Sequence, residues 1–348
     1  MLGHQPQTHE THSLEETKMP GILILGETEN GSLGSVTGEL IAVGRSLADS
    51  LGDPVSVALQ DEALADLASG AIELGADRVY TVADALLANA QPDAQLSAFE
   101  QVCQQTEPSV VLIGRTPLGR DLGPRLAFRL GVAVAQDCTE IGVDSSTNRV
   151  IATRPVYGGS AVARVTFPGD GVQVVIARPK TFEALEPDSG RTGDIEELSV
   201  QIDPDVIQTK LVETVTQEAA GIRLEDADVV VSGGRGMGGP EPFEQLSSLA
   251  DVLIGAMGAS RAACDAGWLD HSYQVGLTGK TITPNLYVTV AISGASQHMA
   301  GCSGAKFIVA INRDKDANIF KSASYGVVGD WNNVLPAFIE SVRELVES

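Results

Sequence analysis

Short apolar runs rich in β-branched residues alternate with helix-like patterns over the first half of the chain. Residues 21–26 (GILILG), 55–60 (VSVALQ) and 109–114 (SVVLIG) have the length and composition of buried strands. After the first run, VTGELIAVGRSLADSLG carries apolar residues at helical spacing, which predicts a helix that ends near Gly52. This alternation is typical of a parallel sheet with helices on both faces and right-handed crossovers. The pattern also predicts helices at 63–75 and near 94–105 and a strand at 78–82.

The pattern changes after Gln136, where strand-like runs follow one another with only glycine turns between them. Residues 149–167 and 172–179 are predicted to form consecutive strands, because no segment of helix length separates them. An alternating run at 198–202 follows a polar stretch that contains proline and glycine. We therefore expect an N-terminal α/β domain whose parallel sheet has added strands, with the domain boundary in or just after 203–221.

A second α/β pattern occupies the rest of the chain and predicts a C-terminal doubly wound domain. Its predicted elements are a strand at 227–234, a helix at 239–256, three further buried strands at 285–292, 306–311 and 325–329, and a final helix with Asp330 as its N-cap. The chain then divides into residues 1–18, a leader, residues 19–216, the first domain, and residues 217–348, the second.

The charge balance excludes several classes of partner. The 348 residues include 46 acidic and 23 basic side chains, which give a net charge of −23. Such a surface repels phosphate backbones and anionic lipid heads, so we expect no nucleic-acid partner. No apolar run approaches the roughly 18 residues of a membrane helix, so we expect no direct membrane insertion.

Cysteine spacing and the first residues indicate an intracellular protein. Cys103, Cys138, Cys264 and Cys302 are widely spaced without a C-x-x-C pair, which predicts buried thiols in a reducing compartment and no metal site. Residues 1–18 are polar, hold three of the five histidines and lack the apolar core of a signal peptide. We expect them to be disordered or non-native, and the protein to be cytoplasmic.

A glycine-rich segment, SGGRGMGG, lies between a predicted strand and a predicted helix of the second domain. Gly234, Gly236 and Gly239 satisfy the G-x-G-x-x-G pattern of dinucleotide-binding turns. Glycine allows a phosphate to approach the backbone N–H groups at a helix start. Arg235 within the segment favours an anionic ligand, although glycine-rich turns without a ligand are also common.

Three further glycine-rich turns, at 258–267, 275–280 and 293–301, occupy comparable places. In a doubly wound sheet, such turns meet at the carboxyl edge of the strands, so their polar residues are expected to line one cleft. Each residue also has a structural alternative. Arg261 fits a solvated arginine, Thr278 a turn residue bonded to its own backbone, and His298 a core histidine satisfied by a carbonyl. The small residues before His298 place it in the first turn of a helix at the sheet edge, which favours a ligand role.

The motifs as a series resemble a known family. SGGRGM, GASRAACDAG, QVGLTGK, ISGASQHMAG, AINRD and YGVVGD are similar to the C-terminal domain of electron transfer flavoprotein alpha subunits. LIGRTPLGRDLGPRLAFRLG, RPVYGG and IARPKTFE extend the resemblance to the first domain, so that it runs from about Met19 to the C-terminus. The resemblance implies that the second domain binds FAD.

The resemblance also implies which residues meet the cofactor. The FAD pyrophosphate and adenosine would lie along Arg235, Ser260, Ser293, Gly294, Ala295, Gln297, Asn312 and Asp330. The flavin ring would meet Arg261, Thr278 and His298, with Gln274 and Val275 shaping the neighbouring turn and Gly276, Leu277 and Ser296 completing the set. A histidine at a helix start and a permanently charged arginine would stabilise the negative charge of the reduced ring. No catalytic nucleophile, general base or metal ligand set is visible.

The function implied is that of an electron carrier, not an enzyme. It would be a heterodimer with a beta subunit that takes single electrons from flavin dehydrogenases, such as those acting on acyl-CoA in fatty acid β-oxidation, and passes them to a membrane quinone reductase. One alternative is a subunit of an electron-bifurcating complex that oxidises NADH. Another is an NAD-dependent dehydrogenase, although Asp251, the acidic residue at the right distance from the glycines, lies within a predicted helix. A subunit whose turns bind nothing is the third.

Three positions depart from the family pattern. Leu277 occupies a position where many members have glutamine. Ser324 occupies a position where an aspartate often precedes the Tyr-Gly pair. His271 lies at a position where members commonly vary. These departures affect the flavin potential and partner contacts more than FAD binding itself.

Overall fold

The computed structural model describes residues 21–29, 31–61, 64–88, 91–157, 161–209, 211–213 and 222–347. The expected leader at 1–18 and most of the segment 210–221 lie outside the described residues. The α-helices are α1 (Ser35–Leu51), α2 (Ala65–Glu73), α3 (Pro92–Thr106), α4 (Pro117–Leu130), α5 (Phe243–Val252), α6 (Arg261–Cys264), α7 (Ser296–Met299) and α8 (Trp331–Glu347).

The strands fall into two main sheets and two small ones. Those of the N-terminal part are β1 (Ile22–Gly26), β2 (Thr28–Glu29), β3 (Ser32–Leu33), β4 (Val55–Asp61), β5 (Arg78–Ala83), β6 (Val110–Gly114), β7 (Val134–Cys138), β8 (Glu140–Asp144), β9 (Arg149–Val156), β10 (Ala161–Thr166), β11 (Gln173–Ala177) and β12 (Asp194–Glu197). Those of the C-terminal part are β13 (Val229–Gly233), β14 (Ala256–Ser260), β15 (Gln274–Val275), β16 (Leu286–Val290), β17 (Phe307–Asn312) and β18 (Tyr325–Val328).

The N-terminal part is built on a seven-stranded sheet in the order β12-β5-β4-β1-β6-β11-β7. All its strand pairs are parallel. Side chains of β1 alternate between two apolar cores: Ile22 and Ile24 pack with α1 and α2, whereas Leu23 and Leu25 pack with α3 and α4. The prediction of a parallel sheet with helices on both faces is confirmed.

The added strands form a separate antiparallel sheet in the order β10-β9-β8. The last of the strand-like runs behaves differently, because β11 lies inside the parallel sheet between β6 and β7 and is fully buried. An apolar run with no polar alternation, such as VQVVIA, suits a strand covered on both faces.

The C-terminal part carries a six-stranded parallel sheet in the order β15-β14-β13-β16-β17-β18. The chain runs outward from β13 through β14 to β15 and then outward on the other side through β16 to β18, so the strand order reverses between β13 and β16. Val231 packs with α5 and α8 on one face, and Val230 packs with Tyr287 and Ile308 on the other. The expectation of a doubly wound domain is confirmed.

Three local predictions are wrong. The alternating run at 198–202 is not a strand. The edge strand β12 lies before it, in the polar stretch, and its four residues are exposed while they pair with β5. Helix α5 begins at Phe243, after two prolines, and ends at Val252. Ile254, predicted on its apolar face, is 77% exposed with a φ of 50°. Strand β18, predicted to be buried, is exposed because it forms the edge of its sheet.

Two ion pairs connect the N-terminal part to the segment before β13. Nη1 of Arg223 lies 2.7 Å from Oε1 of Glu29, and Nζ of Lys180 lies 3.4 Å from Oδ1 of Asp226. Three of these four side chains are about half exposed, and Lys180 is about a quarter exposed.

Two further expectations concern the cysteines and the presence of membrane-spanning helices. All four cysteines are free and buried, as predicted. None of the described helices combines the length and the apolar character that crossing a membrane requires.

Candidate functional site

The turns that follow the strands of the C-terminal sheet meet around one cleft of about 940 Å³. It lies at the carboxyl edge where the strand order reverses, the position at which open α/β sheets bind ligands. Its volume falls in the range of about 300–1,000 Å³ typical of small-molecule and cofactor sites. The sequence-predicted residues that line it are Arg235, Ser260, Arg261, Gln274, Val275, Gly276, Leu277, Thr278, Ser293, Ala295, Gln297, His298 and Asn312.

Two glycines let the turns approach one another closely. A Cβ atom on Gly234 would overlap the carbonyl oxygen of Ala291, so this glycine allows the turn after β13 to pack against the turn after β16. Gly294 has a φ of 75°, and a Cβ atom there would overlap the backbone nitrogen of Ile319. Gly294 therefore shapes the wall of the cleft from behind and is not among the residues that line it.

Arg235 is exposed at one side of the cleft, in the turn after β13. Asn312 lies further along the same edge, and its Nδ2 donates to the carbonyl of Ile292 at 2.9 Å. Its Oδ1 accepts from the backbone N–H of Asp314 at 3.0 Å. The Asn312 side chain thus joins the ends of β16 and β17, and Arg235 remains available to a ligand.

Besides Gly294, two predicted residues, Asp330 and Ser296, lie apart from the cleft lining. Oδ1 of Asp330 accepts from the backbone N–H and from Nδ2 of Asn332, at 3.0 and 2.9 Å, which is the arrangement of a helix cap. The backbone N–H of Asn332 holds the pKa of Asp330 below its usual value. Ser296 faces a second cleft on the other side of α7, which is lined also by Arg178 and Lys180 of the N-terminal part.

Arg261 supplies a fixed positive charge next to the middle of the cleft. Its side chain is 65% exposed, and its Nε lies 3.3 Å from Oδ2 of Asp265, one helical turn later. Asp265 also lines the cleft and was not predicted, although its spacing from Arg261 within GASRAACDAG could have indicated the pair. Arg313 and Asp314, within the motif AINRD, also line the cleft and were not predicted.

Thr278 belongs to a short hydrogen-bonded chain. Nε2 of the buried Gln274 donates to the Thr278 hydroxyl at 2.9 Å, and Oε1 of Gln274 lies 3.0 Å from Nδ1 of His271. The Thr278 hydroxyl accepts from a side chain, so the alternative of a threonine bonded to its own backbone is wrong. Its own hydrogen remains available for donation to a ligand. His271, which departs from the family pattern, is part of this chain.

His298 lines the cleft but is largely buried, with 7% of its surface exposed. Its Nε2 lies 2.8 Å from the hydroxyl of Tyr287, and its Nδ1 is buried without a hydrogen-bond partner. Burial lowers the pKa of His298 to about 4, against an opposing effect of the Val275 backbone. The ring is therefore neutral near pH 7, and Arg261 carries the fixed charge.

This geometry corrects two expectations about His298. The alternative of a buried, satisfied histidine is correct in part, because the partner of Nε2 is a tyrosine hydroxyl rather than a carbonyl. Helix α7 is a single turn of four residues, so it carries too little of a helix dipole to stabilise a charge on its own.

The residues present fit a dinucleotide. The cleft offers three arginines, Arg235, Arg261 and Arg313, to an anionic ligand. Its walls are backbone turns that a Cβ atom at Gly234 or Gly294 would disrupt. No group of three or more histidine, cysteine, aspartate or glutamate side chains suited to a metal ion occurs in the part of the chain that the structure describes.

Known proteins match both parts of the chain. The family model "Electron transfer flavoprotein domain" matches residues 22–203, and "Electron transfer flavoprotein FAD-binding domain" matches residues 223–303. Electron transfer flavoprotein subunit alpha of Megasphaera elsdenii is 42% identical, over 93% of this chain and 96% of the relative. The corresponding subunit of Bacillus subtilis is 40% identical, over 93% and 98%. Protein FixB of Clostridium saccharobutylicum is 38% identical, over 94% and 98%.

The second family model covers the turns after β13, β14, β15 and β16, from which most of the cleft is built, so the C-terminal part carries the family's FAD-binding domain. With full-length relatives at about 40% identity, these matches show that the chain belongs to the electron transfer flavoprotein alpha-subunit family.

Proposed function

We propose that the chain is the FAD-holding large subunit of a heterodimeric electron carrier. The single observation that supports this most is the meeting of the glycine-rich turns around one arginine-containing cleft at the sheet reversal. The N-terminal part, proposed to extend to about residue 216, would serve mainly to dock the other subunit. Such a protein holds a cofactor rather than a substrate.

The chain's own side chains divide between the two ends of the cofactor. In this proposal Arg235, Ser293 and Gln297 hold the phosphate end, because they are exposed and line the cleft beside the sheet reversal. Arg261, Thr278 and His298 lie at the ring end. FAD supplies a ring that accepts and returns electrons, and the protein tunes it through the charges and hydrogen bonds around it.

Each group at the ring end has a distinct role. Arg261 provides a permanent charge that favours a more negative ring. The Thr278 hydroxyl is held by Gln274, so its hydrogen is directed outward as a donor. His298 contributes a neutral imidazole, since burial lowers its pKa to about 4. The fixed charge and the neutral donors together would favour uptake of electrons over uptake of protons.

The proposed partners are a beta subunit, flavin dehydrogenases such as those acting on acyl-CoA, and a membrane quinone reductase. Relatives are named subunit alpha, which supports a heterodimer. The proposed location is the cytoplasm, where the four free cysteines would remain reduced. An NADH-oxidising, electron-bifurcating complex would differ by a second flavin in the other subunit.

The test is purification of the chain together with its neighbouring small subunit. A yellow heterodimer that contains one FAD and takes up electrons one at a time during stepwise reduction would support the carrier. Two flavins per heterodimer and reduction by NADH would support the bifurcating complex instead. A folded, colourless complex that takes up no added FAD would contradict the proposal.

A further inference from the structure

A buried tyrosine lies directly behind the histidine that lines the FAD cleft. Tyr287 belongs to the interior strand β16, is 0% exposed and packs on the same face of the sheet as Val230 and Ile308. Its ring lies nearly parallel to that of His298, with centroids 6.0 Å apart and an interplanar angle of 24°. The sequence periodicity does not distinguish this tyrosine from an ordinary core residue.

We propose that Tyr287 is a positioning residue: its hydroxyl donates a hydrogen bond to Nε2 of His298 and so leaves the ring proton on Nδ1. The inference rests on the proposed function, because it concerns how the ring presented to the flavin is held. It adds a residue that does not itself line the cleft.

The direction of the hydrogen bond follows from a count of buried polar groups. A neutral imidazole has one N–H donor and one acceptor nitrogen. If Nε2 donated to Tyr287, the phenol hydrogen and the lone pair of Nδ1 would both be buried without partners. If Tyr287 donates to Nε2, only the Nδ1 hydrogen remains. Because each unsatisfied buried group costs about 1–3 kcal/mol, the second arrangement is favoured.

The surroundings agree with this direction. The hydroxyl of Ser232 lies near Tyr287 but makes no hydrogen bond of normal distance and angle, whereas the phenol oxygen lies 2.8 Å from Nε2 of His298. Burial raises the pKa of Tyr287 well above its usual value, so the phenol keeps its proton at any ordinary pH, and the nearby Ser232 acts in the opposite direction. The Val275 backbone opposes the effect of burial on the pKa of His298.

The consequence for the cleft is a histidine with one orientation and one tautomer. A neutral ring without a partner on Nε2 would be free to exchange its proton between the two nitrogens and to turn about its χ2 angle. The dipole that the ring directs toward the flavin would then differ between molecules. Tyr287 removes this freedom before the cofactor binds, as preorganised sites require.

The first experiment determines the tautomer in the complete chain without FAD. Imidazole ¹⁵N shifts at about pH 7 are recorded for the wild type, and the His298 signals are assigned by their loss in His298→Asn. We expect the Nδ1–H tautomer in the wild type and a mixture of tautomers in Tyr287→Phe. Tyr325→Phe removes an exposed hydroxyl of the same C-terminal part and should leave the His298 signals unchanged.

An Nε2–H tautomer in the wild type would overturn the inference, and so would an unchanged tautomer ratio in Tyr287→Phe. The wild-type measurement needs no variant, so it decides the question even if Tyr287→Phe folds poorly. A thermal unfolding curve of each variant shows which case applies.

The second experiment uses the FAD-loaded heterodimer and a double-mutant cycle. Tyr287→Phe should shift the one-electron reduction potential of the flavin in the same direction as His298→Asn. The shift should disappear when Tyr287→Phe is introduced into His298→Asn, because the tyrosine acts through the histidine. An equal shift in both backgrounds would overturn the positioning role. Absence of FAD from the wild-type heterodimer would instead contradict the proposed function, and the tautomer measurement would still stand.

Discussion

The hydroxyl of Thr116 donates a hydrogen bond to Oε1 of Glu27 at 2.8 Å and joins the end of β1 to the start of α4. The same hydroxyl accepts from the backbone N–H of Gly119 at 3.0 Å, so Thr116 also caps α4. Burial raises the pKa of Glu27 to about 7, although the hydrogen bond from Thr116 lowers it. Glu27 therefore changes charge near neutral pH inside the N-terminal part.

Replacement of Glu27 by Gln is expected to remove a loss of stability that develops between about pH 4.5 and 7. The pKa of Glu27 in the folded protein, about 7, is higher than its usual value of 4.5, so the stability that the proton contributes is complete below about pH 4.5 and is lost as pH rises through 7. Glu27→Gln should gain on the order of 2 kcal/mol relative to the wild type between about pH 5 and pH 8. Denaturant unfolding at several pH values measures this gain.

Glu340→Gln, an exposed substitution on α8, serves as the control for the loss of one negative charge. Its free energy of unfolding should change with pH in the same way as that of the wild type. If the free energy of unfolding of Glu27→Gln also followed that of the wild type, the Glu27 carboxyl group would not titrate in this range. The explanation of its raised pKa by burial would then be wrong.

Arg235→Ala is expected to lower the affinity for FAD by about tenfold to a hundredfold, the range for a lost hydrogen bond to a charged group. The flavin potential should change little, because Arg235 is placed at the phosphate end of the cleft. Titration of the FAD-free heterodimer with FAD measures the affinity, and Arg343→Ala, exposed on α8, controls for the loss of a positive charge. A large shift in potential with unaltered affinity would contradict this placement.

Gly294→Ala and Gly267→Ala form a matched pair. Their φ angles are 75° and 74°, but a Cβ atom at Gly294 would overlap the Ile319 backbone, whereas nothing lies within 4 Å of one at Gly267. Both variants carry the strain of a left-handed alanine, about 1 kcal/mol. Only Gly294→Ala should also displace the turn and abolish FAD binding. Equal FAD affinities in the two variants would show that the turn tolerates displacement.

The four cysteines are expected to be unreactive in the native state. Burial raises the pKa of Cys103, Cys138 and Cys302 to about 12 and that of Cys264 to about 11. Because the thiolate is the reactive form, a thiol reagent at about pH 7.5 should label none of them until denaturant is added. Rapid labelling of the native protein would indicate local opening around at least one of these residues.

The sequence was sufficient for the elements that carry long apolar patterns and for the meeting of the glycine-rich turns. It was insufficient where tertiary position decides. Strand β18 has the composition of a buried strand, but nothing in YGVV shows that it lies at the sheet edge. Strand β12 has the composition of a loop, but DIEE forms a strand because its backbone pairs with β5 and Arg78 of β5 forms ion pairs with Asp194 and Glu196.

In the candidate site, too, some residues could be predicted from motifs and others depend on tertiary packing. The motifs indicated Arg261, Thr278 and His298, and the cleft brings them together. Their partners differ: the spacing of Asp265 from Arg261 could have indicated that ion pair, whereas the contact of Tyr287 with His298 depends on side-chain packing. Tyr287 lies in an ordinary strand pattern, and only its 2.8 Å distance to His298 distinguishes it from a core residue.

The ion pairs between Arg223 and Glu29 and between Lys180 and Asp226 make the junction of the two parts sensitive to ionic strength. At about 1 M salt the screening length is about 3 Å, so attraction between these partly exposed groups is largely lost. The apolar cores of the two parts are not weakened by screening. High salt is therefore expected to loosen the attachment of the FAD-binding part while both sheets remain folded. Electron-transfer rates that change with salt without a change in stability would report on that attachment.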